Sequence, residues 1–338
     1  MATPAEDGFI MPAEWHPHDR CWMAWPCREA HWGERLDAAR EASAEVARAI
    51  AAFEPVTMIA NPEYLAEVSL RCGAGVACLP MAHDDSWMRD TGPTFVVDAK
   101  GGVAGIDWRF NAWGELFDPY DRDAAVARAV LEHLELPRYA PPLVLEGGAI
   151  HVDGEGTLLT TEQCLLNPNR NPDLSKAEIE ALLGAHLGVR QVIWLGQGLE
   201  DDETDGHVDN LACFVRPGVV LALCTEDPED GNFAALADNL ARLRAAKDAK
   251  GRALEVVEVP QPERGEGDDG LRLGKSYVNF YIANGGVVLP SFEDAKDGTA
   301  HEILAKCFPE RELRQVPALD IVHGGGGIHC ITQQQPSG

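Results

Sequence analysis

Five residues, Asp90, Glu146, His207, Asp209 and Cys330, carry the side chains that covalent acid–base chemistry needs. They lie in four short stretches: DDSWMRDTG (84–92), LEGG (145–148), DETDGHVDN (202–210) and GGGGIHCITQQQ (324–335). A thiol with an imidazole suggests nucleophilic catalysis, because the thiolate attacks and the imidazole carries protons. The three carboxylates narrow the substrate. A protease needs hydrogen-bond donors beside the reacting carbon, whereas a wall of acids suits a planar cation held in paired, charge-assisted hydrogen bonds. A guanidinium is such a cation. Glycines next to these side chains, Gly324 to Gly327 beside the thiol among them, let backbone approach a ligand closely.

For residues so far apart to meet, the chain must return repeatedly to one place. Hydrophobic runs and turn signals mark four hairpins: GPTFVVDAKGGVAGIDW (92–108), GAIHVDGEGTLLTT (148–161), NLACFVRPGVVLALC (210–224) and NFYIANGGVVLPSF (279–292). Each is followed by a segment of helical period, at 121–136, 175–187, 231–248 and about 298–308. Further strands such as QVIWLG (191–196) and ALEVVEV (253–259) come next. The unit is ββαβ. A fifth hairpin is split, with GIHCITQ (327–333) and CWMAWP (21–26) each lacking a partner, so pairing them would close a ring. The expectation is an α/β fold: a five-module ββαβ propeller with pseudo-fivefold symmetry, closed by N- and C-terminal strands and forming one catalytic domain over 1–338. The carboxylates, imidazole and thiol, at or near the hairpin mouths, would then meet around one axis.

Composition agrees with a small cationic ligand. The chain of 338 residues carries 55 acidic against 28 basic side chains, a net charge of -27. Such a surface repels phosphate backbones and anionic lipid, so neither nucleic acid nor a membrane is an expected partner. No apolar run is long enough to span a bilayer, and MATPAEDGFIMPAEW lacks the pattern of a signal peptide, so a cytoplasmic location is expected. Nine scattered cysteines with no C-x-x-C argue against a disulfide framework or a zinc ribbon. His16, His18, Cys21 and Cys27 match no common zinc spacing, and no metal is expected.

The stretches MPAEWHPHDRCWMAWP, DDSWMRDTGP, FNAWGE, LEGGAIHVDGEGTLLTTEQCLLNPNRNP, DDETDGHVDN, SYVNFYIANG and GGGGIHCITQQQP together resemble the agmatine deiminases. These are guanidine-modifying enzymes related to bacterial peptidylarginine deiminases. The resemblance covers nearly the whole chain and implies the pentein fold, hydrolysis of agmatine to N-carbamoylputrescine and ammonia, and no cofactor. It makes Cys330 the nucleophile, His207 the general acid and base, Asp90 and Asp209 the guanidinium carboxylates, and Glu146 the support of the histidine. It also assigns Glu203 to the ammonium end of the substrate. Two positions depart from the family pattern: Gly327 stands where asparagine is expected, and Glu115 where glycine is expected.

Trp87 is read as a lid stacking on the guanidinium by cation–π contact, and Trp113 as core. Gly327 is counted with the substrate-binding residues. Strand alternation would point His329 away from the site, in a structural role. The nearest rival is a deiminase of peptidyl or free arginine, disfavoured because those substrates carry a carboxylate and DDETD is acidic. An amidinotransferase and a silent guanidine sensor are more distant rivals. The oligomeric state is left open, a homo-oligomer included.

Overall fold

The computed structural model describes residues 2–338. Its strands fall into five small sheets. Three have the same plan, an antiparallel hairpin with a third strand added in parallel after a helix. In one, Ala212–Arg216 pairs with Val219–Cys224, the helix Phe233–Ala245 follows, and Glu255–Pro260 runs parallel to Val219–Cys224. The same plan recurs with Tyr281–Ala283, Gly286–Ser291, helix Asp297–Cys307 and Glu312–Pro317. It recurs again with His151–Val152, Thr157–Thr161, helix Lys176–Leu187 and Gln191–Leu195. A fourth sheet joins Thr94–Asp98, Val103–Ile106 and Arg138–Tyr139, with Phe9–Ile10 on its edge.

The remaining sheet joins distant parts of the chain. Thr332–Pro336 pairs antiparallel with His18–Ala24, which runs parallel to Val56–Ala60, itself parallel to Val76–Pro80. One of its two inner strands, VTMIA, is buried at every position, as a parallel strand covered on both faces requires. The helix Leu36–Ala51 covers it with Ala39, Val46, Ala47 and Ile50 on its buried face. Local signals fix helix ends as well: Ser175 and Glu178 form a reciprocal capping box at the start of Lys176–Leu187.

The expected strand 327–333 is shorter than its apolar pattern suggested. Residues 328–331 form a turn, and the strand begins only at Thr332. The Thr332 hydroxyl donates back to the carbonyls of Ile328 and His329, and the His329 N–H donates to Asn279 Oδ1 at 2.8 Å. These bonds offer the backbone an alternative to a sheet ladder. Sequence reading also passed over the helix Leu65–Cys72 and the edge strand Val76–Pro80. Among the described residues, no helix is long and apolar enough to cross a membrane.

Candidate active site

The residues singled out from the sequence sit on single turns just ahead of hairpin strands. Asp90 lies in the helical turn Met88–Thr91, Glu146 directly before Gly147–Ala149, and Asp209 in Val208–Asn210 with His207 at its start. Cys330 occupies the 328–331 turn. All five side chains are buried and converge. A Cβ added at Gly148 would lie 2.7 Å from His207 Nδ1, 2.9 Å from Asp209 Oδ2 and 3.0 Å from Asp90 Oδ1, so only glycine leaves room at that centre.

Each carboxylate is held. Asp90 Oδ1 accepts from Gly148 N at 2.8 Å and its Oδ2 from Trp113 Nε1 at 3.0 Å. Asp209 Oδ2 lies 2.9 Å from His329 Nδ1 and 3.5 Å from Cys330 Sγ, while its Oδ1 has no hydrogen-bond partner among the described residues. Both His207 nitrogens are likewise buried and unpartnered, with Nδ1 3.8 Å from Asp90 and Nε2 3.7 Å from Glu146. Buried polar atoms left free in a site are where a polar ligand would bond.

A narrow cleft reaches Cys330 and Asp90 and is walled by Trp87, Trp113, Phe117, Glu203 and Gly324 to Gly326. Trp87 is stacked on Trp32, centroids 5.7 Å apart, and a Cβ at Gly326 would meet its ring at 2.4 Å. Glu203 is exposed at the rim. Gly327 sits behind the cleft wall, where a Cβ would come 2.4 Å from Asn279 Oδ1. His329 does not face away as strand alternation implied. With the backbone in a turn, its ring bridges Asp209 and Glu14, 2.7 Å from Glu14 Oε1. Nor is Trp113 only core, since its N–H reaches Asp90.

Asn279 was missed. Its Nδ2 donates to Cys330 Sγ at 3.2 Å and to Asn210 Oδ1 at 2.9 Å. The signal was available, because Asn279 opens the fourth hairpin, the one mouth to which no polar residue had been assigned.

The model of the Porphyromonas-type peptidyl-arginine deiminase family matches residues 10–336. The chain belongs to that family. It is 50% identical to an agmatine deiminase of Stutzerimonas stutzeri, over 99% of this chain and 98% of that protein. Among solved structures, the agmatine deiminase of Enterococcus faecalis superposes with a TM-score of 0.97 at 39% identity, covering 100% of this chain and 98% of that one. A C. jejuni agmatine deiminase, in a cysteine-to-serine form with substrate bound, gives 0.90 at 28% identity, covering 98% and 97%.

The electrostatics of this deiminase family member favour a cation in the cleft. Burial pushes the Cys330 thiol well up, and Asp209 and Asp90 add repulsion that Gly327 N–H and Asn279 only partly offset. Burial also raises Asp90; His207 opposes that rise, while Asp209 and Glu146 reinforce it. Burial would lower His207, but Asp90, Cys164 and Glu146 outweigh it and hold the ring protonated. Asp209 is pushed up by burial yet ends below its usual range because of His329, His207 and Arg89. The ligand atoms of Glu146, Cys164 and His207 lie within 4.8 Å of one another, a spacing compatible with a metal ion. That corner already contains a cation, however, since Glu146 Oε1 holds Arg170 at 2.7 Å. All nine cysteines are free.

Proposed function

We propose that the protein hydrolyses agmatine to N-carbamoylputrescine and ammonia through a covalent intermediate on Cys330. The observation that carries this reading is one cleft with a thiol and two carboxylates at its base and the acid Glu203 at its rim. The guanidinium enters between Asp90 and Asp209. Its charge offsets the burial and repulsion that keep the thiol protonated, and the proton leaves to solvent. The thiolate adds to the guanidinium carbon, protonated His207 gives its proton to one NH₂ group, and ammonia departs. An S-alkyl thiouronium remains. Neutral His207 then takes a proton from water as the oxygen adds to the same carbon. The C–S bond breaks, the urea product loses a proton, and the thiol is restored. Glu146 orients the ring, and Trp87 covers the planar cation.

The fold that accompanies this reading is a five-module ββαβ propeller of pseudo-fivefold symmetry, one catalytic domain closed by its N- and C-terminal strands. Recurrence of the hairpin–helix–strand plan supports it, as does the convergence of Asp90, Glu146, His207, Asn279 and Cys330 from turns next to five different sheets.

Ammonia release from agmatine, free arginine and an arginine-ended peptide, measured side by side, tests the function. Agmatine should be turned over far faster than the other two; preference for either arginine substrate overturns the reading. Glu203→Gln should raise KM for agmatine but spare an alkylguanidine without an amine, because only agmatine loses a charge-assisted contact. Equal effects on both would remove Glu203 from tail recognition.

A further inference from the structure

The segment QCLLNPNRNP (163–172) holds a charged side chain that the mechanism leaves unused. The Arg170 side chain has 0% exposure, yet every arm of its guanidinium is occupied. Nε donates to Glu146 Oε1 at 2.7 Å, Nη1 to Asn169 Oδ1 at 2.7 Å and Asp205 Oδ2 at 3.1 Å, and Nη2 to the Thr204 carbonyl at 3.1 Å. The other Glu146 oxygen is the one facing His207. Thr204 and Asp205 belong to the loop that carries Glu203 into the cleft and leads into His207. One planar fork therefore joins the carboxylate behind the acid–base histidine to the loop that reads the substrate's tail.

We propose that Arg170 is a positioning residue with two separable roles: its charge keeps Glu146 ionised behind His207, and its fork fixes the 202–206 loop and so the reach of Glu203. The proposal rests on the deiminase reading above. The charged and titratable groups facing Glu146 are His207, Cys164 at 4.0 Å, Arg170 itself, and Asp90 across His207. Burial pushes the Glu146 carboxyl up, and His207 and Arg170 together bring it below its usual range. Without the Arg170 charge, Glu146 would take up a proton at higher pH. His207, relieved of a neighbouring cation, would also hold its proton to higher pH. The two changes act in the same direction, because hydrolysis of the intermediate needs neutral His207 with ionised Glu146 behind it. The acid limb of the rate profile must move upward. Lysine keeps the charge as a point but cannot reproduce the fork.

The test is the pH dependence of ammonia release by the full chain, with agmatine and with an amine-free alkylguanidine. Arg170→Gln should move the acid limb of kcat up by about one pH unit or more. Arg170→Lys should leave the limb in place and raise KM at least about tenfold for agmatine alone. Asp205→Asn, at a partly exposed position, removes the negative charge that shares Arg170. It should move the limb down while raising KM for agmatine. A profile scaled equally at every pH in Arg170→Gln overturns the charge role, and KM raised alike for both substrates in Arg170→Lys overturns the fork. Should Arg170→Gln fail to fold, Asp205→Asn decides the charge role, and a limb that stays or rises refutes it. No ammonia from the unaltered protein would instead overturn the deiminase reading itself.

Discussion

Replacing Trp113 with phenylalanine removes one N–H from the cleft wall while keeping an aromatic ring against Phe110 and Phe117. That N–H is one of two donors on Asp90, the other being Gly148 N on the opposite oxygen. A hydrogen bond to a buried charged group contributes about 1.5–3 kcal/mol, which corresponds to roughly 10- to 150-fold in rate. Because Gly148 still holds Oδ1, the lower part of that range applies, and kcat/KM should fall by about 10- to 30-fold. The loss should also depend on pH. Burial already raises the Asp90 carboxyl, and losing a donor to its ionised form raises it further. In the proposed reaction it is the ionised form that grips the cation, so the variant's deficit grows as pH falls. Ammonia release measured across pH, with thermal unfolding as a control, checks this, the smaller ring costing about 1 kcal/mol of stability. A deficit below about threefold, or one constant with pH, would refute the claim that Trp113 holds Asp90 for catalysis.

Two further outcomes follow from the same geometry. Because the Cys330 thiol is held protonated by burial and by Asp209 and Asp90, neutral iodoacetamide should alkylate it slowly near neutral pH, whereas cationic chloroacetamidine should label it fast and alone; mass spectrometry that finds no preference for the cation, or finds label elsewhere, counts against this. Glu115 has φ 66° beside Ala112 at 52° and Trp113 at 55°, so Glu115→Gly should raise stability by up to about 1 kcal/mol in a denaturant titration, and a lower midpoint would show that the Glu115 side chain outweighs its strain.

The four hairpins, their helices and the identity of the converging side chains were legible because each depends on local pattern: period two, period 3.6 and turn residues. The 328–331 turn was not, because side chains from elsewhere, Asn279 above all, override an apolar run that reads as strand. That one displacement turned His329 from an outward residue into the neighbour of Asp209. Arg170 could not be read either. A buried arginine looks like any surface arginine in sequence, and beyond its neighbour Asn169 its partners Glu146, Thr204 and Asp205 come from elsewhere in the chain. Trp113 was half legible: its apolar bulk suggested core, while its N–H found a carboxylate 23 residues away.

The pairing of Thr332–Pro336 with His18–Ala24 has a consequence for how the molecule is made. On a ribosome, the segment 18–24 is soon followed by its parallel neighbour Val56–Ala60 and can pair with it within moments. Its other edge stays bare until Thr332–Pro336 has been translated, with the Trp22–Gln335 hydrogen bond spanning 313 residues of separation. At about 5–20 residues per second that wait lasts tens of seconds, during which an unpaired edge is open to other chains. The residues that end the wait begin at Thr332, just past Cys330. A nascent chain therefore acquires its thiol and loses its sticky edge within the same few seconds of synthesis.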